Sequence, residues 1–416
     1  MSGTIEVVST PKQLQQLQQQ KQKQQQQQQQ EPYDISKEGN ILLDPGNHDP
    51  SHFKSKMSKI RFQFRQYMTK FTDHQSEYLA EWQRKHSSPF RDYFFPYTAL
   101  MGSHTFYVIF LPMPVWFGYF EQTRDLVYIL GYSIYLSGFL KDYWCLPRPK
   151  SPPVKRSTLS KYTAKEYGAP SSHSANAMGA TMYFIYYIWD CSSFNIFLKM
   201  CYTGFAILYY MTLVIGRIYC GMHGFLDIIS GSICGAVCFG TRMWLRYIFR
   251  DFRSGEYVSF PVISVTIGLL LLYKHVKPID ECPCFVDSVA FIGVISGYEV
   301  GDWVLQRYNM DLYCSKFNQI GMSIILRPLI AVPFIIIWKE LLSKKIIYTF
   351  LTKVLRLTDD RASVIKKRKE MTNSHECTPY IGEPKIEILG RFLIYSGIPM
   401  ITIILAPLVF RMIGIK

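Results

Sequence analysis

The chain has 416 residues, 48% of them hydrophobic and 15% aromatic, with a mean hydropathy of +0.03. This does not suit two or three soluble domains of ordinary surface, because the apolar residues gather into long runs from residue 93 onward while charge and glutamine collect elsewhere. Forty-six Lys and Arg against 31 Asp and Glu give a net charge of +15; on a polytopic chain such residues flank the membrane, so membrane lipids claim them first and no nucleic-acid partner is expected.

Residues 1–50 include an almost unbroken glutamine tract and read as a disordered tail, too poor in apolar surface to offset the entropy of ordering. They contain no apolar signal-peptide core, so the first apolar helix is expected to direct insertion. Residues 51–92 form a basic amphipathic segment in which Lys54, Lys56, Lys59, Arg61, Arg65 and Lys70 are interrupted by Phe62 and Phe64. It suits a helix lying on anionic lipid and equally a solvated charged helix.

Apolar spans follow near 93–119, 125–144, 174–190, 197–216, 224–249, 258–274, 286–305, 320–341 and 386–411, with a further half-span at 346–355. At 1.5 Å per residue such lengths cross an apolar layer of roughly 30 Å. The expected fold is therefore an all-α polytopic membrane protein of about 8–10 transmembrane helices, with the polar motifs in 93–250 and further helices plus a basic loop in 251–416. Gly231, Gly235 and Gly240 offer a small-residue packing face, and Pro112, Pro114, Pro328 and Pro333 should kink their helices. Glu299 and Asp302 must face the bundle interior if their segment spans. The ten cysteines form no disulfide framework, and Cys282 and Cys284, either side of Pro283, are a lone pair with little weight as a metal site.

Three polar stretches have no ordinary reason to be in a membrane chain. The first runs from Lys141 at the end of the second span to Arg148, which is held between two prolines. The second, Pro170, Ser171, Ser172 and His173, opens the third span, where hydroxyls and free N–H groups make an anion site and a histidine cation would oppose the helix dipole unless an anion sits beside it. The third runs from Arg217 through His223 to Asp227; four residues apart on a helix, the histidine and aspartate share a face, and the carboxylate can orient the ring. Two spans separate the end of the second from the start of the fifth, so all three stretches emerge on one membrane face. Three cations and a hydroxyl-rich helix start converging on two histidines form a phosphate site.

As K-x6-R-P, P-S-x-H and R-x5-H-x3-D, these stretches resemble the tripartite signature of the phosphatidic acid phosphatase type 2 (PAP2) superfamily. The surrounding text, KDYWCLPRPKSPP, EYGAPSSHSANA and GRIYCGMHGFLD, is similar to its sphingosine-1-phosphate phosphatase branch, above all the fungal long-chain-base-phosphate phosphatases. The resemblance implies a PAP2-type helical bundle in which Lys141, Arg148, Ser171, Ser172 and Arg217 hold the phosphate, His223 attacks phosphorus, Asp227 orients His223, and His173 protonates the leaving alcohol. It implies no cofactor and no metal, since cations do the work of Mg²⁺, and it implies the endoplasmic-reticulum membrane with a phosphorylated sphingoid base as substrate. Ser172 stands where the family often has Gly, and Gly216 where it often has Ser.

Two other readings stay open on the residues alone: a phosphatase of a polyisoprenyl diphosphate or phosphatidate, and a transporter of anionic lipids that needs the cations but not both histidines. Topology is divided. Lys366, Lys367, Arg368 and Lys369 fall on the same side as the motifs, which the positive-inside rule makes cytosolic, whereas Arg242, Arg246, Arg250 and Arg253 fall opposite and favour a lumenal site, as does the resemblance. Oligomeric state is left open by the sequence.

Overall fold

The computed structural model describes residues 33–34, 44–159, 161–250, 255–314, 323–372 and 381–415. The glutamine tract lies outside them. Among the described residues the protein is all-α, apart from a two-residue antiparallel pairing of Tyr33–Asp34 with Ser157–Thr158. We label the principal helices α1 Lys59–Thr69, α2 Gln75–His86, α3 Pro89–Thr98, α4 Phe120–Trp144, α5 Ser172–Asp190, α6 Ile196–Tyr219, α7 Phe225–Ile248, α8 Ser259–Tyr273, α9 Phe285–Arg307, α10 Ser323–Ile336 and α11 Lys385–Met400.

Four helical runs are long and apolar enough to cross a membrane: α6, α7, α9 and Ile386–Met412, which begins in α11. With the shorter apolar α8, they make this a polytopic membrane protein. In its most apolar window α9 is 78% buried within the protein, whereas α6 is 11% buried and turns Phe197, Phe205 and Leu208 outward. The bundle therefore centres on α9, packed between α4 and α11, and exposes α6 to lipid.

Eight of the expected spans coincide with α4 to α11. The first does not: instead of one helix over 93–119 the chain forms α3, a 3₁₀ turn Ala99–Gly102, and short helices His104–Phe110 and Met113–Trp116. Pro96 deletes a backbone donor inside α3, Ser103 starts a new helix by accepting from Phe106 N at 3.2 Å, and Pro112 and Pro114 set the next break. The opposite happens after α10. The expected span and half-span are one run to Val354, with π-helical turns at Ile337–Leu342 and Phe350–Val354 absorbing the irregularity.

Helix α5 lies between α7, α4 and α6. Its approach to α7 needs glycine at two points, since a Cβ at Gly231 would fall 2.3 Å from Ser171 O and one at Gly235 2.0 Å from Ala175 O. Gly240 has open space around it and takes no part. In α1, two of the cations finish α4: Arg61 donates to Tyr143 O and Asp142 O, both at 2.6 Å, and Arg65 to Cys145 O at 3.1 Å. Guanidinium groups on the last carbonyls of a helix satisfy orphan acceptors and suit its negative end. The apolar residues of α1, Ile60, Tyr67 and the following Phe71, remain exposed.

Candidate active site

The three polar stretches meet, and the contacts are direct. Ser171 N donates to Asp227 O at 2.8 Å, which joins the start of α5 to the first turn of α7. Lys141 Nζ, in the last turn of α4, donates to Ser172 Oγ at 3.1 Å. Arg148 donates to Met222 O at 2.6 Å, tying the first stretch to the third. Helix ends bring this about: α4 stops at Cys145 in the left-handed conformation (φ 51°), and Ser171 caps α5 by accepting from Ser174 N.

His223 is 1% exposed, and its Nδ1 lies 3.2 Å from Asp227 Oδ2, which also accepts from Gly224 N at 2.9 Å. A carboxylate only accepts, so Nδ1 carries the proton and Nε2 the lone pair. Burial, followed by the charges of Arg148, Arg217 and Lys141, holds the His223 imidazole well below the ordinary histidine range. It is therefore neutral at neutral pH. Burial is also the main reason that Arg148 is pushed down to about 10, which leaves it charged.

The cations differ in how far they are committed. Arg148 uses three of its five N–H donors on backbone carbonyls, those of Glu166, Met222 and Thr163, at 2.6–2.8 Å, and so braces the loops. Lys141 is ion-paired with Glu166. Arg217 is 3% exposed, donates no hydrogen bond among the described residues, and leaves its buried Nε without a partner. An unsatisfied buried guanidinium is expensive unless an anion arrives.

His173 stands beside Gly102, where a Cβ would fall 2.5 Å from the ring Cδ2, so only glycine leaves room for the imidazole. Gly216, where serine was expected, sits under Phe95, and a Cβ there would come to 3.0 Å of the ring. A cavity of about 1300 Å³ has Ser172, His173, Arg217 and Glu166 at its polar end and Leu100, Ile134 and Phe291 among its apolar walls. It exceeds the roughly 300–1,000 Å³ of sites for drug-sized ligands and suits a headgroup with an acyl-length tail. His223 is not among the residues lining it.

The PAP2 superfamily matches residues 122–251, a stretch that contains all eight expected site residues. Dihydrosphingosine 1-phosphate phosphatase YSR3 of Saccharomyces cerevisiae is 54% identical over 377 residues, 91% of this chain and 93% of the yeast protein. The chain belongs to the PAP2 superfamily. Its branch is that of the sphingosine-1-phosphate phosphatases: dihydrosphingosine 1-phosphate phosphatase C823.11 of Schizosaccharomyces pombe is 31% identical over 84% of this chain and 91% of its own length. Sphingosine-1-phosphate phosphatase 2 of Homo sapiens is 22% identical over 78% of each. No solved structure matches the chain. This PAP2 protein is a lipid phosphate phosphatase.

Sequence reasoning missed one member of the site, Glu166. Its carboxylate is 8% exposed, pairs with Lys141 and lies 3.8 Å from Arg148 Nη2. The available signal was an acidic residue seven before His173 in a stretch otherwise built to hold an anion.

Proposed function

We propose that this PAP2 phosphatase removes phosphate from sphingoid long-chain base 1-phosphates, dihydrosphingosine 1-phosphate and phytosphingosine 1-phosphate, through a phosphohistidine on His223. The observation that carries the mechanism is the His223–Asp227 pair set among three buried cations, one of which, Arg217, has no hydrogen-bond partner for its Nε among the described residues. Nε2 of His223 attacks phosphorus, and the bond from phosphorus to the lipid oxygen breaks. His173 passes its proton to that oxygen, then takes one from the water that cleaves the phosphohistidine and releases orthophosphate. Lys141, Arg148, Arg217, Ser171 and Ser172 stabilise the charge spread over the transferring group. Asp227 keeps the ring in the attacking tautomer.

The yeast relatives' substrates support a sphingoid phosphate over the other lipid phosphates, and the cavity beside His173 and Arg217 has room for its tail. We place the enzyme in the endoplasmic-reticulum membrane with this site on the lumenal face, because Arg242, Arg246 and Arg250 at the far end of α7 suit the cytosolic side. The basic helix Arg361–Thr372 is the opposing consideration, since Arg361 and Ile365 line the same cavity as His173. A glycosylation acceptor inserted beside Lys150 should be modified if the face is lumenal, and an unmodified acceptor reverses it.

The function is tested by phosphate release from purified, detergent-solubilised protein without added divalent cation, with dihydrosphingosine 1-phosphate, phosphatidate and a polyisoprenyl diphosphate compared side by side. Preference for the sphingoid phosphate is expected. Equal or greater release from another lipid overturns the substrate, and binding without release from any overturns the chemistry.

A further inference from the structure

Below the catalytic end of α4, a second cluster of chemically capable side chains takes no part in phosphate transfer. Asp142 follows Lys141 in the last turn of α4 and is 0% exposed. Facing it are Cys282 and Cys284, 4% and 5% exposed, from the connection between α8 and α9. The two Sγ atoms are 2.7 Å apart and Cys284 Sγ is 3.0 Å from Asp142 Oδ1. One donor atom from each of the three residues lies within 4.8 Å of the others.

His275, from the same connection, adjoins the cluster. Its side chain is fully buried against Phe285, with ring centroids 4.2 Å apart, and its Nδ1 is 3.7 Å from Asp142 Oδ2. Nδ1 also lies 3.0 Å from Val276 O, whereas Nε2 and Asp142 Oδ2 are buried with no hydrogen-bond partner among the described residues. The ring stands beside Asp142 and outside the group of three donor atoms. The connection is held in place: Asp280 accepts from Gly46 N at 2.8 Å and pairs with His52 at 2.8 Å, and its own N–H donates to Tyr167 Oη at 2.8 Å.

We propose that Asp142, Cys282 and Cys284, with water in the fourth position, form a buried zinc-type metal site that ties the last turn of α4 to the α8–α9 connection. Two sulfurs and one carboxylate, completed by a water, make a tetrahedral zinc donor set. A zinc ion held at about 2.3 Å from each sulfur needs the thiols farther apart than they stand, so loading turns one cysteine side chain and releases the two thiol protons. Cys282, Pro283 and Cys284 line the large cavity, which gives an ion its way in.

A disulfide between the two cysteines is the rival chemistry, and Asp142 argues against it. Oxidation would remove the S–H that Asp142 Oδ1 accepts and leave a fully buried carboxylate facing two sulfurs with no donor. A divalent ion satisfies carboxylate and thiolates together. The site is structural, and it stands whether or not the substrate assignment does.

The test is metal analysis of the full-length protein purified in detergent without chelator. About one zinc per chain is expected, retained in His223→Ala and lost in the Cys282→Ser/Cys284→Ser double variant. Should the double variant not fold, the wild-type protein decides alone: stripped of metal and titrated with cobalt, it should develop a thiolate-to-cobalt charge-transfer band. Absence of both zinc and the cobalt band overturns the proposal. So does recovery of the peptide carrying Cys282 and Cys284 in its oxidised form.

Discussion

The two ends of α7 hold buried charge in opposite ways. At the far end Asp125, 2% exposed, receives Arg242 on Oδ1 at 2.7 Å and Arg246 on Oδ2 at 2.5 Å, so both carboxylate oxygens are used. At the near end Lys141, Arg148 and Arg217 face Glu166, while Asp227 is occupied by His223 and Gly224 N, and Arg217 Nε and Asp227 Oδ1 remain unsatisfied. A completed ion cluster fixes helices together. An incomplete one keeps a cost that only a ligand removes.

Breaking the near end at its nucleophile gives the largest effect expected. His223→Ala should lower phosphate release by at least about 10³-fold. Stopped assays on the variant check it, and activity within tenfold of wild type would remove His223 from the chemistry. Next is Arg217→Met, which should cost about 10²–10³-fold in kcat, the size of losing one donor to the transferring group. Its Tm should hold or rise, since a buried charge without a hydrogen-bond partner is gone. A large fall in Tm would make Arg217 a structural residue like Arg242.

The pH profile sharpens the same contrast. The lowered value of His223 means that its neutral form persists as pH falls through about 6.5, the ordinary histidine value. The acid limb of kcat/KM, which reports the free enzyme, should therefore lie below that pH. Arg217→Met removes one opposing charge and should move the limb upward. The stability sign agrees: with the folded value below the unfolded one, the unfolded chain binds more protons in that window, and stability falls as pH drops through it. An acid limb at or above 6.5, unmoved by the variant, would contradict the arrangement.

How much was legible in the sequence follows from the same chemistry. Span ends and motif spacing placed Lys141, Ser171, His173, Arg217, His223 and Asp227, because each stands at a helix end whose position the apolar runs already mark. Arg148 could be located but not weighed, since its bracing of three carbonyls depends on loops folding back. The expected first span failed because mean apolarity does not register Pro96 and the Ser103 cap. Cys282 and Cys284 lacked a visible partner because Asp142 lies some 140 residues away; only the packing of α9 on α4 brings them together.

Glu166 sets a smaller expectation. Its carboxylate occupies Lys141 in the position of an anion, so it competes with phosphate for that cation. Glu166→Gln keeps the shape and removes the charge, and inorganic phosphate should then inhibit more tightly, by up to about tenfold, or 1.4 kcal/mol. Weaker phosphate inhibition, with kcat falling in step, would instead mean that Glu166 positions Lys141 for the reaction.

The smallest effect on activity belongs to the far end. Asp125→Asn leaves Arg242 and Arg246 facing a neutral amide that cannot accept both, so the contacts joining α4 to α7 weaken. Breaking a buried pair costs about 3–5 kcal/mol, but Arg246 is 48% exposed and already partly solvated, so the loss should fall below that range. Tm should drop clearly while kcat/KM at a temperature where the variant is folded stays within about twofold, since none of these residues lines the cavity. A loss of kcat/KM comparable to that of Arg217→Met, in protein shown to be folded, would mean that α7 transmits the state of one end to the other. The completed cluster would then be part of the catalytic machinery.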